Sequence, residues 1–162
     1  MLSLTVHGIL GLVVICLIVR SNLDAFRRPA SGPFFTPVEL LLVVVAVVSV
    51  GVGWYFNIRF VTENTDGWLT NPFVGDGSWA QYMDLIFDNP ASGSAAGDFS
   101  IANVIVLPLA LYLGRGQGIN RPWLYFVATL FLSFSFGWAF YLVSVARLRR
   151  LAVSDPGPSV VP

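Results

Sequence analysis

The sequence predicts an all-α membrane protein of four transmembrane helices with one short amphipathic helix beside them, and three observations lead there. Of its 162 residues, 56% are hydrophobic and only 11% charged, against roughly 25% charged in a soluble domain. With a mean hydropathy of +0.74, a soluble fold of this size could not bury its apolar surface. Uncharged runs near bilayer length occur four times, at Met1 to Val19, Leu40 to Ile58, Phe99 to Gly114 and Trp123 to Ala146; about 20 apolar helical residues cross the hydrocarbon core of about 30 Å. These runs lack the alternation of barrel strands, which leaves helices to satisfy the backbone in lipid. The expected spans are 1–20, 38–58, 98–114 and 122–146, in a single domain over 1–150 followed by a flexible Pro-rich tail at 151–162.

The first run has no basic segment before it, and Arg20, Arg27 and Arg28 follow it, so it reads as a retained span and not a cleaved leader. Those arginines favour a cytoplasmic C-terminal end for the helix. The N-terminus and loop 59–97 then lie outside. Four crossings put Arg115 and Arg121 inside with the first three arginines, and Arg59, Arg147, Arg149 and Arg150 outside, five against four. Residues 21–37 form a connector broken by Pro and Gly. Thr36 is placed to cap the second helix, with Pro37 in its first turn and Glu39 near the positive end of the helix dipole. Glu39 is expected at the headgroup level, with a buried proton-handling role as the alternative.

Loop 59–97 carries Glu63, Asp66, Asp76, Asp84 and Asp88 against Arg59, a net of −4. It also holds Trp68, Phe73, Trp79, Tyr82 and Phe87, which a merely solvated loop does not need. Ser78 can cap a helix over 78–88 in which Trp79, Tyr82, Met83, Ile86 and Phe87 share one face. Such a helix would lie aromatic side down, at the membrane interface or on the bundle mouth. Asn89-Pro90 is expected to stop it, and the small residues of 91–97 to lead back into the third span.

The third run covers only about 24 Å, short of the hydrocarbon thickness, which draws Asp98 toward the boundary as a helix cap. Asn103 lies about 8 Å further in. Pro108 frees the Val104 carbonyl. Asp98, Asn103 and Pro108 thus form a polar seam, either joining helices or lining a cation or proton route. Elsewhere, Ser49 with Gly53 and Ser133 with Gly137 are small pairs four apart that permit close helix approach. His7 is expected to make an interhelical or interfacial hydrogen bond. Trp54, Tyr55, Trp123 and Tyr125 fit interfacial anchors.

Composition also excludes chemistries. All nine basic residues are arginine and the net charge is zero, which removes lysine chemistry and any electrostatic pull toward nucleic acid. One cysteine, Cys16, and one histidine, His7, leave no internal disulfide and no cysteine or multi-histidine metal site. No metal or cofactor is expected, while a bound lipid is compatible with the bundle. If catalysis occurs, Asp88 and Asp98 are the carboxylates placed to serve it.

The stretches GWYFNIRF, IFDNPASGSAAGD and RGQGINRPWLY, and the closing arginines 147, 149 and 150, carry a family likeness. Over 53–150 the chain resembles the DUF2834 family of small bacterial membrane proteins, with Asn89, Pro90, Ser92, Asp98, Trp123 and Tyr125 on the motif positions. The resemblance implies three helices, an Asn-Pro interfacial segment and a bacterial inner (cytoplasmic) membrane, but no reaction. Helix 1–20 is additional to it. Gly114 stands where such proteins often place an acid, so a salt bridge at that membrane edge is absent. The expected function is that of a non-catalytic accessory or assembly subunit that binds other membrane proteins, further copies of itself or lipids. The alternatives are an oligomeric cation or proton transport component using Asp98, Asn103 and Pro108, and a carboxylate-dependent isoprenoid isomerase or cyclase.

Overall fold

The computed structural model describes residues 2–67, 69 and 71–154; Trp68 and the tail beyond 154 lie outside the described residues. In order, α1 is Leu2–Ser21, α2 the single turn Leu23–Phe26, α3 Pro37–Asn64 and α4 Trp79–Ile86. Then follow α5 Pro90–Ile101, a widened π turn Ala102–Val106, α6 Leu107–Leu113, a 3-10 turn Gly114–Gln117, α7 Trp123–Phe131 and α8 Phe134–Ser154. Among the described residues every regular element is helical. Three helical stretches are long and apolar enough to cross a membrane: Leu2–Ser21, Pro37–Asn64 and the continuous Pro90–Gln117. Residues 151–154, expected in the tail, continue α8.

The third span begins at Pro90, eight residues before the expected 98, and Asp98 is not its cap. Asn89 Oδ1 accepts the backbone N–H groups of Ala91 (3.0 Å) and Ser92 (2.9 Å), and the Ser92 hydroxyl donates to the Asn89 carbonyl (3.2 Å). Asn-Pro-x-Ser is therefore a helix start, with Pro90 in the first turn, where its missing N–H costs nothing. A cap of this kind is worth about 1 kcal/mol. It initiates helix through a Gly- and Ser-containing stretch that turn propensities alone would leave as loop. The longer helix removes the length shortfall that drew Asp98 to the boundary.

The largest departure concerns 122–146, which is not one crossing helix. The run breaks after Phe131, and α8 turns back beside α7. Tyr125 of α7 donates its hydroxyl to Ser144 Oγ of α8 (2.8 Å), and Gly137 of α8 meets the Tyr125 carbonyl. Both ends of this hairpin therefore sit at one end of the bundle. Below α7, Asn120 and Asn22 exchange hydrogen bonds of 2.7 and 3.1 Å. At the end of α8, Arg149 Nε donates to Gln117 Oε1 (2.8 Å) and Arg150 pairs with Glu39 (2.9 Å). Arginines 20, 27, 28, 115, 121, 147, 149 and 150 all gather at this end, with Arg59 alone at the other. The expected partition of five against four differs from the one in the bundle, because α8 turns back beside α7 and carries its three arginines to the end that holds the other five.

Side chains at the apex account for the turn. Ser133 Oγ accepts the Phe136 N–H (3.1 Å), capping α8. The same hydroxyl lies 2.7 Å from Ser49 Oγ on α3, and Ser49 donates to the Ala46 carbonyl (2.8 Å). Ser133 is thus the donor between the two hydroxyls, and each partner is used once. Leu132 packs into the space left by Gly11 of α1. The anticipated small residues on α3 and α8 do bring backbones together, at the apex of a hairpin. Around this centre, α8 packs chiefly on α3 and α7, and α1 packs on α7. The shared core is built from residues such as Ile18, Ala46, Leu107, Leu124, Tyr125 and Ala128.

Connector 22–36 is strapped down by α8. Arg147 is fully buried and donates to the carbonyls of Ala25 (2.6 Å), Arg27 (2.9 Å) and Phe34. Its guanidinium stacks on the Phe34 and Phe35 rings, 4.3 and 4.8 Å from their centroids. Glu39 does cap α3 reciprocally with Thr36, and it is 2% exposed, covered by the arginines of α8. Arg150 grips it bidentately, Nε to Oε1 at 3.0 Å and Nη2 to Oε2 at 2.9 Å, and Arg147 Nη1 lies 3.7 Å away. Two cations facing one buried carboxylate, with carbonyls taking the spare N–H groups, form a charge cluster satisfied from every side.

Candidate functional site

At the opposite end, under the acidic loop, the bundle holds a half-open cavity of about 310 Å³. His7 of α1, Trp54 of α3 and Asn103 of the π turn are among the residues that line it. The hairpin apex, residues 129–134, forms the floor, while Trp79, Tyr82, Met83 and Ile86 of α4 form the roof. These four belong to the face that periodicity predicts for this helix. Helix α4 is held by Ser78, whose Oγ accepts the Gln81 N–H (3.3 Å), and by the edge contact of Tyr82 with Phe60 (5.3 Å).

Pro108 produces a π turn and not a simple kink. Without an N–H at Pro108, the backbone re-registers and Leu107 N–H bonds the Ala102 carbonyl five residues back, a widening that recurs at functional sites. Asn103 lies in that turn, 4% exposed, and lines the cavity. Among the described residues its Oδ1 has no hydrogen-bond partner, and neither has Trp54 Nε1. His7 Nδ1 lies 2.8 Å from the Ser3 carbonyl within its own helix, not across helices. A carbonyl only accepts, so Nδ1 is the donor of this pair.

The other residues that the sequence singles out are dispersed. Asp98 is exposed on α5 and does not line the cavity. Five residues separate it from Asn103, about 140° around a helix, so the two do not share a face. Pro108 is half-buried and shapes the π turn without lining the cavity. Asp88 is exposed between α4 and α5, also outside the cavity. Asn89, Pro90 and Ser92 build the helix start described above. Trp123 is exposed, whereas Tyr125 is fully buried and serves the α7–α8 contact instead of a membrane anchor. Trp54 is a cavity wall because Gly8 leaves room for its ring; Tyr55 remains exposed.

Gly114 also has a steric reason, since any Cβ there would overlap the Tyr141 hydroxyl. Near the cavity, Glu63, Asp66 and Asp76 rim a second, open pocket, but Glu63 is engaged by Arg59 at 2.6 Å. Among the described residues, no three His, Cys, Asp or Glu side chains are grouped to hold a metal.

Reasoning from sequence misses that Trp54 and Asn103 line one cavity, and it misses the whole Glu39–Arg147–Arg150 cluster. For the latter a signal exists: Arg147 and Arg150 are three apart and share a helix face, which Arg149 does not. A family model described as a protein of unknown function, DUF2834, matches residues 41–147, from early α3 to Arg147. No curated protein and no solved structure matches.

Proposed function

The chain belongs to the DUF2834 family, and on that premise we propose that it is a small multi-pass membrane protein without catalysis of its own, an accessory or assembly subunit that binds lipid and other membrane proteins. The carrying observation is the cavity under α4, walled mainly by aromatic and aliphatic side chains with a few neutral polar ones, and with no Asp, Glu or Arg among the described residues that line it. Such a space suits binding. The outer face of α3, with Leu40, Leu41, Val47, Val48 and Val52 exposed, suits contact with lipid or with neighbouring helices.

In the membrane, α1, α3 and the stretch from α5 to Gln117 cross, and α7 with α8 enters and leaves on one side. The nine residues of α7 reach about 13.5 Å, under half the hydrocarbon thickness. A break in helical backbone at that depth is tolerated where protein surrounds it, and Leu132 is 8% exposed. Eight of the nine arginines at one end favour that end as cytoplasmic. The N-terminus, the acidic loop and α4 then lie outside, with α4 along the interface, while the end of α8 lies inside. The family resemblance supports a bacterial inner membrane.

Two measurements test this. Purification in mild detergent followed by mass analysis is expected to find lipid or a membrane protein held by the chain; a solitary, ligand-free monomer would overturn the accessory reading. For topology, single cysteines are introduced by Asp76→Cys and Val153→Cys in a Cys16→Ala background. A membrane-impermeant maleimide applied from outside is expected to label position 76 at once and position 153 only after permeabilisation. Labelling of both from outside would restore a fourth crossing.

A further inference from the structure

The fold buries two polar groups at the cavity without satisfying them. Asn103 Oδ1 is an acceptor and Trp54 Nε1–H a donor, both without a partner among the described residues, and Asn103 is 4% exposed. Buried groups of this kind are rare because each forfeits its hydrogen bond to water. Both line one cavity, of about 310 Å³, which lies within the size range of small-molecule sites. The π turn that sets Asn103 there exists because of Pro108, so backbone irregularity, buried amide and cavity coincide.

We propose that this cavity binds an uncharged lipophile whose polar end carries a hydroxyl, alone or beside a carbonyl. The hydroxyl donates to Asn103 Oδ1, an oxygen of the same polar end accepts from Trp54 Nε1–H, and the apolar body packs among the rings of Phe60, Tyr82, Phe99 and Phe134. Charge decides the class of headgroup. No Asp, Glu or Arg lines the space; Asp88 and Asp98 are exposed elsewhere, and Arg147 and Arg150 are committed at the far end of the bundle. A phosphate or carboxylate would enter without a counter-charge, at the desolvation cost of a bare ion. A neutral hydroxyl brings a donor for Asn103 Oδ1 and an acceptor for Trp54 Nε1–H without a charge to desolvate. This assignment rests on the lipid-binding reading above and narrows it to one headgroup chemistry.

The test uses the full chain in lipid nanodiscs with three photoreactive probes of equal tail, built on dodecanol, dodecanoic acid and dodecane. The dodecanol probe is expected to label cavity residues, with unlabelled dodecanol competing and dodecanoate failing to compete. Asn103→Leu and Trp54→Phe, each checked for unchanged helicity and a monodisperse elution profile, are expected to weaken dodecanol binding by about 3- to 10-fold. Equal labelling by dodecane would mean that water serves Asn103 and Trp54, and would overturn the headgroup assignment while leaving lipid binding intact. Labelling by dodecanoate as strong as by dodecanol would overturn it in the same way. No labelling by any probe would overturn the lipid-binding reading as well. The comparison of headgroups needs no variant, so it stands even where a substitution disturbs folding.

Discussion

Replacing Arg147 with alanine is expected to destabilise the bundle by about 3 to 5 kcal/mol, the usual cost of removing one partner from a buried ion pair. The loss has two sources. Glu39, 2% exposed, keeps Arg150 but loses the second cation facing it, and the carbonyls of Ala25, Arg27 and Phe34 lose the donors that hold connector 22–36 against α8. With a total stability of about 5 to 15 kcal/mol, denaturant unfolding in mild detergent should show an early, incomplete transition or no folded baseline. Arg147→Lys is expected to recover little, because one ammonium cannot reach three carbonyls in a fan while offering a planar cation to the Phe34 and Phe35 rings. Arg149→Ala is the control. Arg149 is exposed and bonds only Gln117, so its removal should stay within about 0.5 kcal/mol. Equal effects at 147 and 149 would refute the clamp.

Gly137→Val is also expected to destabilise the bundle, through sterics instead of charge. A Cβ at 137 would lie 2.6 Å from the Tyr125 carbonyl oxygen and would overlap the Thr129 methyl. The oxygen belongs to helical backbone and cannot rotate away, so α8 must lift off α7; overpacking of this kind costs about 1 to 3 kcal/mol, occasionally more. Gly137→Ala should already be destabilising, and adding Thr129→Ala should restore only part of the loss, because the carbonyl remains. Gly53→Ala should be tolerated, since its Cβ would meet Ser133 Cβ at an ordinary 3.5 Å. Thermal unfolding of the four variants separates these expectations; full rescue by Thr129→Ala would show that side-chain crowding alone sets the distance.

Gly53 and Gly137 look alike in the sequence, each closing a small pair four residues long, and only the crossing geometry tells them apart. Local signals are readable wherever the interaction is local. Thr36 with Glu39, Ser78 with Gln81, and the cavity-facing side of α4 all lie within one or two helical turns, and the spacing that predicts them is the spacing that makes them. Asn89-Pro90 is visible as a boundary, but its direction is not, because an Asn-Pro pair ends one helix as well as it begins the next. Residue type alone points Tyr125 and Trp54 to the membrane interface. Their true neighbours, Ser144 for Tyr125 and Gly8 for Trp54, lie on other helices.

By itself the sequence determined that this is a helical membrane protein, where its apolar stretches lie, where most helices start, and that its carboxylates and arginines are segregated. Tertiary structure alone decided that the last apolar run turns back, that eight arginines share one end, and that Asn103 and Trp54 face a common cavity. The physical reason is that hydropathy and capping depend on residues a few positions apart, whereas a turn back into the bundle is stabilised by distant pairs: Asn22 with Asn120, Ser49 with Ser133, and Arg147 with the carbonyl of Ala25. An apolar run that crosses and one that returns have the same composition. They differ only in the partners that meet them.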